Sequence, residues 1–149
     1  MLNVRLFSAS DKERYLKFSK DFYTSGAALE PIPEEHMHRT FDALIADNPH
    51  ADGFMILSDD IPVGYCLISF LWSTEMGGLI ALIDELYVNS DYQGQKLGSA
   101  FLQYIEKYYK GKIVGLRLEV CSSNLGAIRL YEKQGFHFLE YRQMIKRLD

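Results

Sequence analysis

Residues 84–99 read DELYVNSDYQGQKLGS. The stretch opens on two carboxylates, Asp84 and Glu85, at the end of an apolar run. It then passes through a polar turn and reaches Gly94 and Gly98 before an amphipathic segment begins. That order of residue types predicts a strand, a loop and a helix N-terminus in series. The first turn of a helix leaves backbone N–H groups unpaired and carries the positive end of the helix dipole, so it can hold an anion such as a phosphate. Glycine lets a ligand approach that backbone closely. What the loop means depends on what flanks it.

Downstream, Leu97, Ala100, Phe101, Tyr104, Ile105 and Tyr108 recur in steps of three and four, the stripe of a helix packed on one face. Residues 113–120 then read as a strand, and a strand, helix and strand in one sheet make a right-handed parallel crossover. A last helix over about 124–134 leads through Gly135 into two further strands, 136–139 and 142–148. Upstream, a first strand at 3–7 is followed by a helix that Ser10 or Asp11 could cap, carrying Tyr15, Phe18 and Phe22. A second helix presents Met37, Phe41, Leu44 and Ile45. Three strands, 54–57, 63–72 and 79–88, come next on short turns and predict an antiparallel meander. The expectation is a single α/β domain over residues 1–149 on a mixed sheet.

The composition is that of a folded chain: 149 residues, 48% hydrophobic and 24% charged, long enough to bury a core without disulfides or a structural metal. A net charge of −4 and a pI near 5.6 argue against general nucleic-acid binding, which needs a basic stripe, and mildly suit a cationic substrate. Cys66 and Cys121 stand far apart in apolar runs, as buried free thiols in a reducing compartment do. The apolar run at 61–72 contains Pro62 and Gly64 and falls short of the ~20 residues that cross a bilayer. The N-terminus lacks the apolar stretch of a signal peptide. A cytoplasmic protein without a membrane partner is expected.

Two motifs together, NSDYQGQKLGSAFL and, about thirty residues later, NLGAIRLYEKQGF, resemble the GNAT superfamily of acyl-CoA-dependent N-acetyltransferases. The order of predicted elements is similar to the whole family fold, so the resemblance covers nearly all of the chain. It implies a mostly antiparallel sheet with a splayed parallel pair and about four helices. It also implies acetyl-CoA as cosubstrate, with the loop of Gln93, Gly94, Gln95, Lys96, Leu97, Gly98 and Ser99 holding the pyrophosphate through backbone N–H groups. Lys96 stands where the family pattern has glycine. A lysine with helical dihedrals still presents its N–H, and retained binding is expected. Asn124, Ala127 and Tyr131 match the second motif on one side of a helix. There the resemblance assigns cofactor contact to the first two and protonation of the departing CoA thiolate to Tyr131.

Asp84 and Glu85 interrupt a strand otherwise apolar enough to be covered on both faces, and burying a carboxylate is costly unless it is paired or neutralised. Successive strand residues point to opposite faces, so only one should enter a cleft unless a bulge intervenes. An alkylamine with a pKa near ~10 must lose a proton before it attacks a thioester, and either carboxylate could receive it. The choice between them stays open, with Glu85 having the longer reach. By resemblance the backbone of Leu86 and Val88 pairs with the pantetheine arm, and the Leu86 N–H faces the developing oxyanion. No metal is called for, since His36 and His38 lie about 200° apart on a helix.

Tyr23 and Glu30, around the connection of the first two helices, are candidate acceptor contacts. The acceptor is read as a small cationic amine; a protein or peptide amine is the neighbouring alternative. A non-catalytic acyl-CoA binding module is the alternative of another class, against which an intact Tyr131 argues. Whether the C-terminal strands mediate a homodimer is left open.

Overall fold

The computed structural model describes all 149 residues. Five strands form one sheet in chain order: β1 (Leu2–Leu6), β2 (Ala51–Ser58), β3 (Ile61–Ser73), β4 (Gly78–Val88) and β5 (Gly115–Leu118). The first four pair antiparallel, and β5 runs parallel to β4. The helices are α1 (Lys12–Thr24), α2 (Glu34–Ile45), α3 (Leu97–Tyr108) and α4 (Leu125–Lys133). The crossover from β4 through α3 to β5 is the one that the apolar stripe predicted.

Each sheet face has its own core, which is why β2 and β3 read as continuous apolar sequence. On one face Phe54, Ile56, Cys66, Ile68, Ala81 and Ile83 pack under Phe101, Leu102 and Ile105 of α3. On the other, Met55, Leu57, Tyr65 and Leu67 meet Tyr15, Phe18 and Phe22 of α1 and Met37 and Phe41 of α2. Phe18, Phe54 and Phe101 are wholly buried, and each such side chain contributes about 1.5–3 kcal/mol through apolar area removed from water. The start of α1 is tied to β1 by Asp11, whose carboxylate accepts from both guanidinium nitrogens of Arg5, at 2.7 and 3.0 Å, and from the Ser8 N–H at 2.7 Å.

Gly64 has a role that only the packed structure discloses. A Cβ there would lie 2.1 Å from the Tyr87 carbonyl oxygen, so any larger residue would force β3 and β4 apart opposite Val88.

The expected C-terminal strands do not form. No residue beyond Lys133 is helical or extended in a sheet, and the backbone N–H groups of residues 137–149 make no hydrogen bond. Their alternating composition suits a strand, but a strand exists only as part of a ladder, and this segment forms none with the free edge of β5. Trp72 is 68% exposed near the end of β3. Tyr109 is buried, with its hydroxyl donating to Asp52 at 2.5 Å. No helix is long and apolar enough to cross a membrane.

Candidate active site

The site begins where β4 and β5 part. Their ladder ends at Ile83 opposite Leu118, and residues 84–88 of β4 continue without a neighbour on that side. The Asn89 N–H bonds to Val63 of β3, and the Tyr87 carbonyl also faces β3. By alternation the N–H and C=O groups of Leu86 and Val88 face the open side. Gln93 already uses one of them, its Nε2 donating to the Val88 carbonyl at 2.9 Å.

A register shift against β3 falls at Asp84: Ile68 pairs with Ile83, while Leu67 pairs with Glu85. Asp84 is the extra residue of a bulge. The consequence is a change of face. Ile83 belongs to the core under α3, whereas Glu85 turns toward α1. There Tyr65 donates to Glu85 Oε1 at 2.6 Å and Tyr23 donates to Oε2 at 2.7 Å. Asp84 remains exposed and accepts from the Ser69 hydroxyl.

Burial pushes the Glu85 carboxyl above the usual carboxylate range; the two phenols counter that, and neighbouring Asp84 adds to it. The Asp84 carboxyl is also raised by desolvation, against the Ser69 hydrogen bond. Behind Glu85 the Tyr65 ring is fully buried against Tyr15, 5.3 Å away edge-on. Two residues along β4, Tyr87 donates to Asp21 of α1 at 3.3 Å. Tyr23 is thus brought to the carboxylate, while Glu30 stands exposed in the connection and bonds to nothing. Tyr65 is the residue that reading the sequence missed. Nothing in its local context, a tyrosine in an apolar strand, distinguishes it from packing.

After β4 a single short turn (Ser90–Tyr92) leads to the glycine loop. The N–H groups of residues 94–99 have no partner within the chain; the first bond of α3 runs from Ala100 to the Lys96 carbonyl. Gly94, at φ +81°, has nothing within 4 Å of where a Cβ would stand. Six successive free donors over an open approach suit a pyrophosphate well. Lys96 corrects one expectation: it is not helical but left-handed, with φ 60° and ψ 24°. Glycine is favoured there because it lacks the Cβ that crowds the backbone.

Gly98 sets the distance to the last helix, since a Cβ on it would come within 3.1 Å of Leu130. The side chain of Asn124 caps α4 by accepting from the Ala127 N–H at 3.3 Å, which leaves its amide NH2 free. One turn on, Tyr131 packs edge-on to Phe136 with ring centres 5.8 Å apart. Its hydroxyl makes no hydrogen bond, and burial raises its pKa to about 12, so it is protonated at neutral pH. Cys121 donates to the Ala27 carbonyl at 3.4 Å, bringing the α1–α2 connection against the segment after β5.

A splayed parallel pair, an anion-receptive helix start and a half-buried carboxylate between them define a class, the acyltransferases that bind an acyl-CoA thioester across the splay. The chain belongs to the acetyltransferase (GNAT) family, whose model matches residues 14–136, and acetyl-CoA is the cosubstrate that goes with it. Over 58 residues it is 43% identical to the ribosomal protein bS18-alanine N-acetyltransferase of Escherichia coli strain K12, spanning 38% of this chain and 39% of that protein. Over 60 residues it is 35% identical to a probable spermine N(1)-acetyltransferase of Bacillus subtilis subsp. natto, spanning 38% of each. The chain therefore matches well under half the length of these relatives. A crystal structure of a possible acetyltransferase from Clostridium difficile 630 superposes with a TM-score of 0.83 at 20% identity, covering 100% of this chain and 99% of that one.

Proposed function

We propose that this protein acetylates the primary amine of a small cationic acceptor from acetyl-CoA, by direct attack, with Glu85 receiving the amine proton and Tyr131 supplying one to the departing thiolate. The observation that carries this reading is the bulge at Asp84, which turns Glu85 out of the sheet's packing and into a half-buried site under Tyr23. A carboxylate whose proton affinity is raised by burial is better matched to accept a proton near neutral pH than one in water. The same charge, reinforced by Asp84, attracts an ammonium before reaction. Asp84 itself is exposed and bonded to Ser69, so it contributes field and leaves the proton to Glu85.

The remaining roles follow the geometry. The free N–H groups of residues 94–99 would hold the pyrophosphate, with Lys96 adding a cation beside it. Leu86 and Val88 offer backbone groups to the pantetheine arm along the open edge of β4. Ala127 keeps the α4 surface low where that arm passes, and Asn124 has an amide donor to offer. Tyr131, protonated and without an internal partner, is ready to donate.

Two relatives point to different acceptors, a ribosomal protein and spermine. The contact of Cys121 with Ala27 ties the α1–α2 connection to the segment after β5, and a connection held in this way supports a small molecule over a protein terminus. The test is to measure thiol release from acetyl-CoA with diamines and polyamines, aminoglycosides, amino-acid amides and an alanine-initiated peptide. Release with the small amines, abolished in Glu85→Gln, is the expected result. Release with the peptide alone would replace the acceptor class. Acetyl-CoA binding without release on any amine would leave a non-catalytic binder.

A further inference from the structure

Behind Glu85 lie hydroxyls that the proposed reaction does not use. Tyr15 and Ser19 stand one turn apart on the same face of α1, Tyr65 faces them from β3, and all three are buried. The Ser19 hydroxyl is the one buried side-chain oxygen or nitrogen without a hydrogen bond. Hydroxyls within a helix commonly bond back to a carbonyl of the preceding turn, as Thr24 does to Lys20 and Thr40 to His36. Ser19 leaves its own helix unbonded. Burial raises the pKa of the Tyr15 and Tyr65 phenols, and Ser19 stands close enough to lower it in each.

The hydrogens around it are already committed. Tyr65 gives its own to Glu85 Oε1 at 2.6 Å. Thr40, the other hydroxyl beside Tyr15, gives its own to the His36 carbonyl at 2.7 Å. The Ser19 hydrogen therefore has two acceptors in reach, the phenol oxygens of Tyr15 and Tyr65. A phenol that donates to a carboxylate gains electron density on its oxygen and becomes the better acceptor. That phenol is Tyr65.

We propose that Ser19 is a positioning residue for Glu85: its hydroxyl donates to the Tyr65 oxygen while Glu85 is ionised, and so strengthens the bond that Tyr65 makes to the carboxylate. With Tyr15 donating to Ser19 in turn, a buried row of hydroxyls is polarised toward one charge. No basic side chain does this work. The titratable groups around Glu85 are Tyr15 and Tyr23 of α1, Tyr65 of β3 and Asp84 beside it on β4, and Cys66 of β3 also feels its charge. None of them is a cation, so hydroxyl dipoles are what offset the desolvation of this carboxylate. The link from Ser19 to turnover rests on Glu85 being the base of the proposed reaction; the link from Ser19 to the ionisation of Glu85 does not.

The test is the titration of Glu85 itself, followed by carbon-13 NMR on the full chain with labelled glutamate, without acetyl-CoA or acceptor, and with Glu85→Gln assigning the signal. Ser19→Ala removes the donated hydrogen and is expected to raise the proton affinity of Glu85 about two-fold, moving the midpoint up by about 0.3 pH unit. Tyr65→Phe should move it further, and adding Ser19→Ala to Tyr65→Phe should move it no more, because the serine acts only through that phenol. An unmoved midpoint in Ser19→Ala, with or without a loss of melting temperature, would make the serine merely structural and overturn the proposal. So would a downward shift, or a shift of full size in the Tyr65→Phe background. Should Ser19→Ala fail to fold, Ser19→Cys, a weaker donor of similar size, is expected to move the midpoint in the same direction. The acid limb of kcat/KM should follow the midpoint; a midpoint that moves beneath an unmoved limb would take the role of base from Glu85 and leave that of Ser19 standing.

Discussion

The hydroxyl of Tyr23, at the last turn of α1, lies 2.7 Å from Oε2 of Glu85, sixty-two residues later in the middle of β4. With Tyr65 on Oε1, the carboxylate is held by one phenol per oxygen. Hydrogen bonds to the charged form favour it, while burial disfavours it, and here burial prevails. Glu85 must be unprotonated to accept the amine proton, so the acid limb of kcat/KM should lie above the ordinary glutamate range. Tyr65→Phe and Tyr23→Phe should each move that limb to higher pH and lower the rate at neutral pH several-fold. A pH–rate profile checks this, and an unmoved limb in both variants would remove Glu85 as the base.

Tyr131 combines an unpartnered hydroxyl with a pKa of about 12. Tyr131→Phe keeps the ring packed on Phe136 and removes only the proton. Turnover should fall by about 10²-fold, the low end for a lost general acid, with acetyl-CoA affinity unchanged by calorimetry. Equal losses in affinity and turnover would instead make Tyr131 a binding residue.

Lys96 sits at φ 60° without the freedom of glycine. An L-residue in this region costs roughly 1–2 kcal/mol, and glycine gives back part of the gain through its more disordered unfolded state. Lys96→Gly should therefore stabilise the fold by about 0.5–1 kcal/mol, a rise of roughly 1–4 °C in Tm. Acetyl-CoA affinity in the same variant separates the two contributions of the lysine: a loss shows that its ammonium meets a phosphate, and a gain shows that the side chain obstructs the loop.

Asp11 is 5% exposed. Burial acts to raise its pKa, but the hydrogen bonds from Arg5 and from the Ser8 N–H outweigh it, and the carboxyl lies below its usual value. A depressed folded-state pKa means stability that is fully present above the unfolded-state value of about 3.9 and lost as pH falls through the folded one. Asp11→Asn should cost about 1–2 kcal/mol at neutral pH, discounted because Arg5 is partly exposed. The difference from the parent chain should shrink as urea unfolding is repeated at pH values falling below about 4. A difference independent of pH would mean that the aspartate acts through shape rather than charge.

Much of the fold was legible from period and punctuation. The stripe from Leu97 to Tyr108 could only be a one-faced helix, and the glycine loop before it could only start one, because both depend on local spacing. Two motifs sufficed for the family. Strand bounds shifted by a few residues, and the C-terminal strands failed for a physical reason: alternation describes which side chains suit a strand and is silent on whether a partner exists. The left-handed Lys96 was likewise hidden, since lysine carries no mark of the conformation that its neighbours impose.

The sequence by itself determined the order of elements as far as the last helix, the glycine loop before a helix start, and the pair of carboxylates interrupting an apolar strand. Only the tertiary structure decided which face of the sheet each of them takes. The bulge at Asp84 arises from how β4 registers against β3, and a one-residue slip exchanges the faces of every side chain beyond it. That slip turns Glu85 toward α1, where Tyr23 and Tyr65 meet it from elements far apart in the chain. Contacts of that kind have no spacing to read, because folding brings them together across a sheet rather than along it.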